Sequence, residues 1–226
     1  MKKIAILQSN YIPWKGYFDI INQVDEFIFY DDVQYTKNDW RNRNKIKTAN
    51  GLQWLTIPVR QENLSQKINE TKVSQENWAE KHWKSISLSY SKAPFFNDYK
   101  EPLQKFYSEI RTPFLSEINR SAIELINSFL GISTVLTSSA DYRLIEGKNE
   151  RLIDLILQAG GTHYLSGPSA RDYIQEDLFR EAGIEISWMD YSGYPEYPQL
   201  FPPFVHAVSV LDLILNTGTD AKKFMK

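Results

Sequence analysis

Four stretches of the chain gather polar, charged and aromatic side chains where a hydrophobic pattern breaks off, and chemistry is sought there first. The first is Gln8–Tyr17, QSNYIPWKGY. It follows the short apolar run Ile4–Leu7 and leads into a helical pattern. That places it at the carboxyl end of a strand, where open parallel sheets bind ligands. Gln8, Asn10, Tyr11, Trp14, Lys15 and Tyr17 crowd a turn that needs only Pro and Gly. The N–H groups that open the helix suit an anion, with Lys15 beside them.

The second stretch runs from Asp31 to Lys47. Asp31 and Asp32 end a second strand and face the same edge. Between Lys37 and Lys47 five positive charges stand against one negative, enough for a diphosphate. Arg41 and Arg43 offer bidentate forks, and Trp40 interleaves with them. In the third stretch Trp78, His82, Ile86 and Tyr90 recur at four-residue steps and share a helix face. A histidine between a Trp and an Ile is commonly a core residue. With no Cys in the chain, His82 is also the natural proton acceptor. The fourth, Thr162–Tyr173, ends a strand at a Ser-Gly-Pro turn and starts a helix with Ser169 as cap. Tyr164, Ser166, Gly167, Ser169 and Tyr173, with Arg171, give a second anion-binding arrangement there.

The elements behind these stretches read as α/β. Strands are expected at 4–8, 26–31, 52–59, 134–137, 163–166 and 184–190, the third ended by Pro58. Helices are expected at 16–24, from a Ser74 cap to Tyr90, at 102–110 and 114–130, at 150–159 capped by Asn149, at 170–182, and from Ser209. A strand, a helix and a strand within thirty residues predict a βαβ unit in an open, mostly parallel, Rossmann-like sheet with helices on both faces. Residues 1–226 read as one α/β domain, with a helical lobe inserted at about 70–130.

Composition narrows the chemistry. The 226 residues carry a net charge of −2, so no general affinity for nucleic acid follows, and any basic site is local. The absence of Cys excludes a thiol nucleophile, a cysteine zinc site and a disulfide scaffold. Three scattered histidines (His82, His163 and His206) predict no metal site. There is no GxGxxG, GxxxxGK[ST], GxSxG or HExxH motif. The start has too short an apolar run for a secretory signal and no segment suits a bilayer, so no membrane insertion and a cytoplasmic location are expected. Thirteen Tyr and six Trp suit a cleft that stacks on sugars or bases.

The stretches QSNYIPWKGY, DDVQYTKNDWRNRNKIK, NGLQWLTIPV, the Trp78–His82 helix, YSKAPF, YLSGPSARDY, YPQ and SVLDLILNTG closely resemble the WbqC-like protein family, collinearly from about residue 4 to 218. Members occur in bacterial surface-polysaccharide clusters, beside enzymes that make nucleotide-linked amino sugars. The resemblance implies an acyl- or aminoacyltransferase acting on the amino group of a dTDP-type dideoxyamino sugar in O-antigen (lipopolysaccharide) biosynthesis. In that reading His82 takes the proton and Asp31 or Asp32 orients the amine. Arg41, Arg43 and Lys37 hold the diphosphate, while Trp14, Tyr17 and Trp40 stack on sugar and base. No cofactor is tightly bound; a CoA thioester, a carrier-protein thioester or an activated amino acid supplies the acyl group, and the oligomeric state is open. Where the family has His-Pro ahead of YPQ this chain has Tyr194-Pro195, so a role for that late histidine does not carry over. A nucleotidyltransferase and a non-catalytic nucleotide-sugar-binding protein are the competing readings. The first is opposed by the lack of an HxGH-type histidine pair, since Pro13, Trp14 and Tyr17 stand in that loop.

Overall fold

The computed structural model describes residues 1–226. Its centre is a strand, β1 (Lys3–Leu7), whose inner residues Ile4, Ala5 and Ile6 are buried on both faces. Helix α1 (Lys15–Asn22) returns the chain to a parallel neighbour, β2 (Glu26–Phe29), which is buried throughout. Continuous apolar runs of this kind belong to parallel sheets covered on both sides.

The chain then leaves the sheet. β3 (Arg43–Thr48) and β4 (Gly51–Thr56) form an antiparallel hairpin, with Lys45 opposite Trp54. The expected third strand is thus β4, but it pairs outside the main sheet. Its partner β3 lies in a segment that reads as a charged loop. Arg43 and Lys45 project to one side while Asn44 and Ile46 are buried, the period-two alternation of a strand. Two short pieces, β5 (Val59–Arg60) and β6 (Lys72–Val73), pair with each other.

Three helices follow: α2 (Trp78–Tyr90), α3 (Phe96–Glu109) and α4 (Leu115–Leu130). Asn77, not Ser74, precedes α2. α3 begins before Pro102 because Phe96, Leu103 and Tyr107 form its buried stripe. Gly131 ends α4 with φ 59°, as its sequence position predicts.

The chain re-enters the sheet as β7 (Val135–Ser138), crosses by α5 (Asn149–Gln158) to β8 (His163–Ser166), and by α6 (Glu176–Glu181) to β9 (Glu185–Trp188). The helix expected over 170–182 is broken. A 3-10 turn at Pro168–Asp172 precedes α6, and Ser169 is exposed rather than a cap. The side chain of Asn149 causes the break. Its amide donates to the Tyr173 carbonyl at 3.2 Å, and its oxygen accepts from the Gln175 N–H at 3.1 Å, satisfying backbone groups that a helix would have used. A proline-rich loop leads to α7 (Val210–Thr217), capped by the Ser209 hydroxyl.

The sheet order is β7-β2-β1-β8-β9, all parallel. One core of 39 buried residues joins a sheet face (Ala5, Phe27, Phe29, Leu165) to α1, the hairpin, α2–α4 and α7. A second core of 12 lines the opposite face under α5 and α6. Strands are added outward from β1 in one direction and then in the other, so the switch point lies between β1 and β8. Ligands bind at such points outside the carboxyl edge. The pairing opens there. β1 matches β2 from Ile4–Glu26 through Leu7–Phe29, but matches β8 only at Lys3–His163 and Ile4–Tyr164.

Candidate functional site

The loop after β1 is held in a costly conformation. Ile12 takes φ 37°, a region that β-branched residues avoid. Long-range bonds hold it there. Asn44 donates to the carbonyls of Tyr11 at 3.3 Å and Ile12 at 2.9 Å. The Tyr11 N–H donates to the Trp40 carbonyl at 3.0 Å, and the Val210 N–H to the Pro13 carbonyl at 2.9 Å. Strain fixed by surrounding structure is typical of functional loops. Gly16 is required by Trp14. A Cβ at residue 16 would stand 2.4 Å from the indole, which folds back across the start of α1. That indole meets Tyr191 and Tyr194 edge-on, at 5.1 and 5.7 Å between centroids.

At the edge itself a polar cluster joins the first two stretches. The Arg41 guanidinium donates to the Asn10 side-chain oxygen and, at 3.0 Å, to that of Gln8. Its ion pair with Asp39 is 3.6 Å long. The Ser9 N–H donates to Asp31 Oδ1 at 2.8 Å. Asp31 is 5% exposed, and burial pushes its carboxyl above the usual range, against the Ser9 bond and the Arg41 charge. Asn119, fully buried on α4, donates to the Ser9 hydroxyl at 3.1 Å and to the Arg41 carbonyl at 2.8 Å; its own oxygen has no partner. Asp32 accepts from Asn69 at 3.0 Å and from the Ser139 hydroxyl at 2.5 Å.

Two cavities flank this cluster. One, of about 310 Å³, is lined by Asn10, Pro13, Trp14, Trp40, Asn44 and Ala207. The other, of about 270 Å³, lies at the ends of β2 and β7 and is lined by Asp31, Asn69, Phe114, Glu117 and Arg120 among others. The Gln8–Asn10 segment links them: Asn10 lines the first, and the Ser9 N–H bonds Asp31, which lines the second. No group of three or more His, Asp or Glu is placed to hold a metal ion.

The remaining expected residues fall elsewhere. His82 is in the core. Its Nε2 bonds the Thr56 carbonyl at 3.2 Å, and its Nδ1 lies 2.8 Å from the Tyr11 hydroxyl. Since a carbonyl only accepts, Nε2 carries the proton and Nδ1 accepts from Tyr11, which in turn accepts from Tyr107 at 2.8 Å. Burial lowers the imidazole pKa to about 4. The ring is neutral with no open lone pair, so the expectation of a free base at His82 is corrected: it braces the strained loop through Tyr11. Tyr11 is itself wholly buried.

Lys15 is corrected too. It is 2% exposed, bonded to the carbonyls of Phe224 at 2.9 Å and Pro195 at 3.2 Å, and desolvation lowers its pKa to about 8. An ammonium so enclosed ties the last residues to α1 and offers nothing to an anion. Tyr17 is a buried wall whose hydroxyl donates to the Gln8 carbonyl at 3.0 Å. Tyr90, also buried, accepts from the Lys47 N–H and donates to Asp212 at 2.9 Å. The five cations do not form one patch. Lys47 turns inward to Gln199 at 2.6 Å, Arg43 and Lys45 lie over Trp54, and Lys37 borders a separate polar cavity. In the fourth stretch Tyr164 stacks on Phe179 in the second core with Ser166 beside it, and Tyr173 packs under Lys148. Gly167 lies beneath the Tyr191 hydroxyl.

Sequence reasoning missed Ser9, Asn44, Asn119 and Tyr191. Asn119 alone carried a signal, as a polar residue in the apolar stripe Ile118–Ala122–Ile126 of α4.

A family model, the WbqC-like protein family, matches residues 8–224 and so spans both cavities and the loop between them. The chain belongs to the WbqC-like protein family. It is similar to an uncharacterized protein of Mycobacterium tuberculosis, Rv1507c, with 51% identity over 227 residues, covering all of this chain and 98% of the relative. No solved structure matches it. No helix is long and apolar enough to cross a membrane.

Proposed function

We propose that this WbqC-like protein is a transferase that places an acyl or aminoacyl group on the amino group of a nucleotide-linked amino sugar of the dTDP type, in surface-polysaccharide synthesis. One observation carries the reading. The Arg41 guanidinium is held by the amide oxygens of Gln8 and of Asn10, which lines a ring-lined cavity, and its charge acts on Asp31, which lines a carboxylate-lined one. A nucleotide sugar has that sequence of parts: a flat base, a diphosphate and a sugar bearing an ammonium. Trp14 and Trp40 take the base, Arg41 the diphosphate, and Asp31 the amine.

The chemistry follows from Asp31. Its raised affinity for protons suits it to accept one from the sugar ammonium near neutrality. The freed amine attacks the carbonyl carbon of a thioester. A C–N bond forms, the C–S bond breaks and the thiol leaves with a proton. No covalent enzyme intermediate is needed, which suits a chain without Cys. His82 and Asn44 act at a distance, by fixing the loop that presents Asn10 and Ser9.

The test is a mass-spectrometric search for amide product from a dTDP-linked amino sugar with acyl-CoA, acyl-carrier or aminoacyl donors, beside calorimetric binding of the sugar nucleotide. Product, absent with Asp31→Asn, supports the reading. Pyrophosphate release from a nucleoside triphosphate points to nucleotidyl transfer, and binding without turnover of any donor points to a binding protein.

A further inference from the structure

The solvent side of the β3–β4 hairpin carries a ring, Trp54, and two cations, Arg43 and Lys45, that the acceptor site does not use, beside Trp40, which lines that site. Trp54 and Trp40 are each 42% exposed, with ring centroids 5.6 Å apart. The Arg43 guanidinium lies 4.3 Å and the Lys45 ammonium 4.8 Å from the Trp54 centroid. Adjoining exposed rings rimmed by charged groups mark an interaction surface, where a single exposed ring would not. Neither cation has a carboxylate partner, although the Arg43 guanidinium donates to the Asn38 carbonyl. The one carboxylate ion pair from this stretch belongs to Arg41, and Arg43 Nε is buried without any partner. Register explains the grouping. Lys45 stands directly across from Trp54, and Arg43 two residues along on the same face.

We infer that this face is the seat of the acyl donor's phosphorylated nucleotide, the adenosine phosphate handle of a coenzyme-A-type thioester. This rests on the transferase reading and names its donor. A purine stacks on an indole, and phosphates suit a guanidinium and an ammonium that have no other anion to satisfy. The patch offers one free indole and two cations, 4.3 and 4.8 Å from its centre, the groups a single purine nucleotide calls for. An acidic carrier protein would instead ask for a row of cations without rings. Position fits as well. Trp40 lines the acceptor cavity and contacts Trp54, so donor and acceptor nucleotides lie on neighbouring rings.

The experiment uses the full chain with coenzyme A and 3′-phosphoadenosine 5′-phosphate as probes, by calorimetry and tryptophan emission. Both are expected to bind and quench emission, more weakly as salt rises. Trp54→Ala is expected to weaken binding about ten-fold or more through lost stacking. Arg43→Gln and Lys45→Gln each weaken it about ten-fold through lost charged contacts. Saturating thymidine diphosphate leaves coenzyme A binding unchanged, since the seats differ. The inference is overturned if neither probe binds while an acidic acyl carrier does, or if thymidine diphosphate displaces coenzyme A. It is overturned equally if Trp54→Ala weakens only thymidine diphosphate, which would make Trp54 a support for Trp40. Failure of the acceptor reading looks different: coenzyme A binds at Trp54, but no amino-sugar nucleotide binds at all.

Discussion

Replacing His82 by Ala separates a brace from a base. The imidazole is 6% exposed and makes two hydrogen bonds, one to the Tyr11 hydroxyl and one to the Thr56 carbonyl. Removing it leaves the buried Tyr11 hydroxyl proton without an acceptor, although that oxygen still accepts from Tyr107, and takes a donor from the Thr56 carbonyl; the unsatisfied buried donor costs about 1–3 kcal/mol. It also opens a void beside Trp78, whose ring centre lies 5.3 Å away. A total of about 3–5 kcal/mol is expected, a large share of the roughly 5–15 kcal/mol that holds a domain folded. For a chain of this length that corresponds to a melting temperature lower by about 6–20 °C.

The wild-type protein adds a pH signature. The folded imidazole, near 4, titrates below its unfolded value of 6.5, so the unfolded chain binds the proton more tightly between them. The stability involved is full above pH 6.5 and is lost as pH falls toward 4. A shift of that size is worth about 3 kcal/mol, and His82→Ala does not show this part of the loss. Calorimetric melts of both proteins from pH 4 to 8, with turnover measured well below the variant's melting point, decide the matter. An unshifted melt together with a roughly 10²–10⁴-fold loss of turnover would refute the brace and make His82 the base.

Three further outcomes follow. Arg41→Ala weakens a sugar nucleotide by about 1.5–3 kcal/mol in calorimetry; an unchanged affinity removes Arg41 from the diphosphate site. Asp31→Asn abolishes turnover yet raises the melting temperature at neutral pH. Burial lifts the folded carboxyl above its unfolded value, so its contribution favours folding at low pH and is lost as pH rises through the raised value; a D31N variant that melts lower contradicts this. Gly16→Ala pushes its Cβ into the Trp14 ring and weakens thymidine diphosphate by about 1–3 kcal/mol with the circular dichroism unchanged. Unaltered binding would show that Trp14 does not seat the base.

The βαβ opening, the parallel sheet and the capped ends of α4 and α7 are legible because each is written locally, in an apolar run, a period or a terminal Gly or Ser. The hairpin is not. Strand β3, RNKIKT in the sequence, hides its alternation because its inward residue Asn44 is as polar as its outward ones. What makes Asn44 core is a loop about thirty residues earlier. The basic patch fails for a related reason: Arg43, Lys45 and Lys47 share one strand face by their spacing, but the Gln199–Pro203 loop takes Lys47 inward, and a run of letters does not show that tertiary contact. Arg41, Asp31 and Asn10 are found by their place after strands. Asn119 and Tyr191 reach the site only through tertiary contact; a polar residue in the apolar stripe of α4 marks the first, and nothing near the second announces it. His82 misleads by its type, whereas its apolar stripe holds the better clue.

The bond from the Val210 N–H to the Pro13 carbonyl, with that from the Ser209 N–H to the Lys45 carbonyl, also governs when the site comes into being. Most of the chain separates Pro13 from Val210. At about 5–20 residues per second, a nascent chain exposes the first loop for roughly 10–40 s before its last anchor leaves the ribosome. For most of that interval Trp14 lacks Tyr191 and Tyr194, and the apolar face that α7 later covers is open to aggregation or to a chaperone. Such distant closures also slow folding itself. A chain that stops before Ser209 carries the site's side chains but lacks the backbone anchors that fix them.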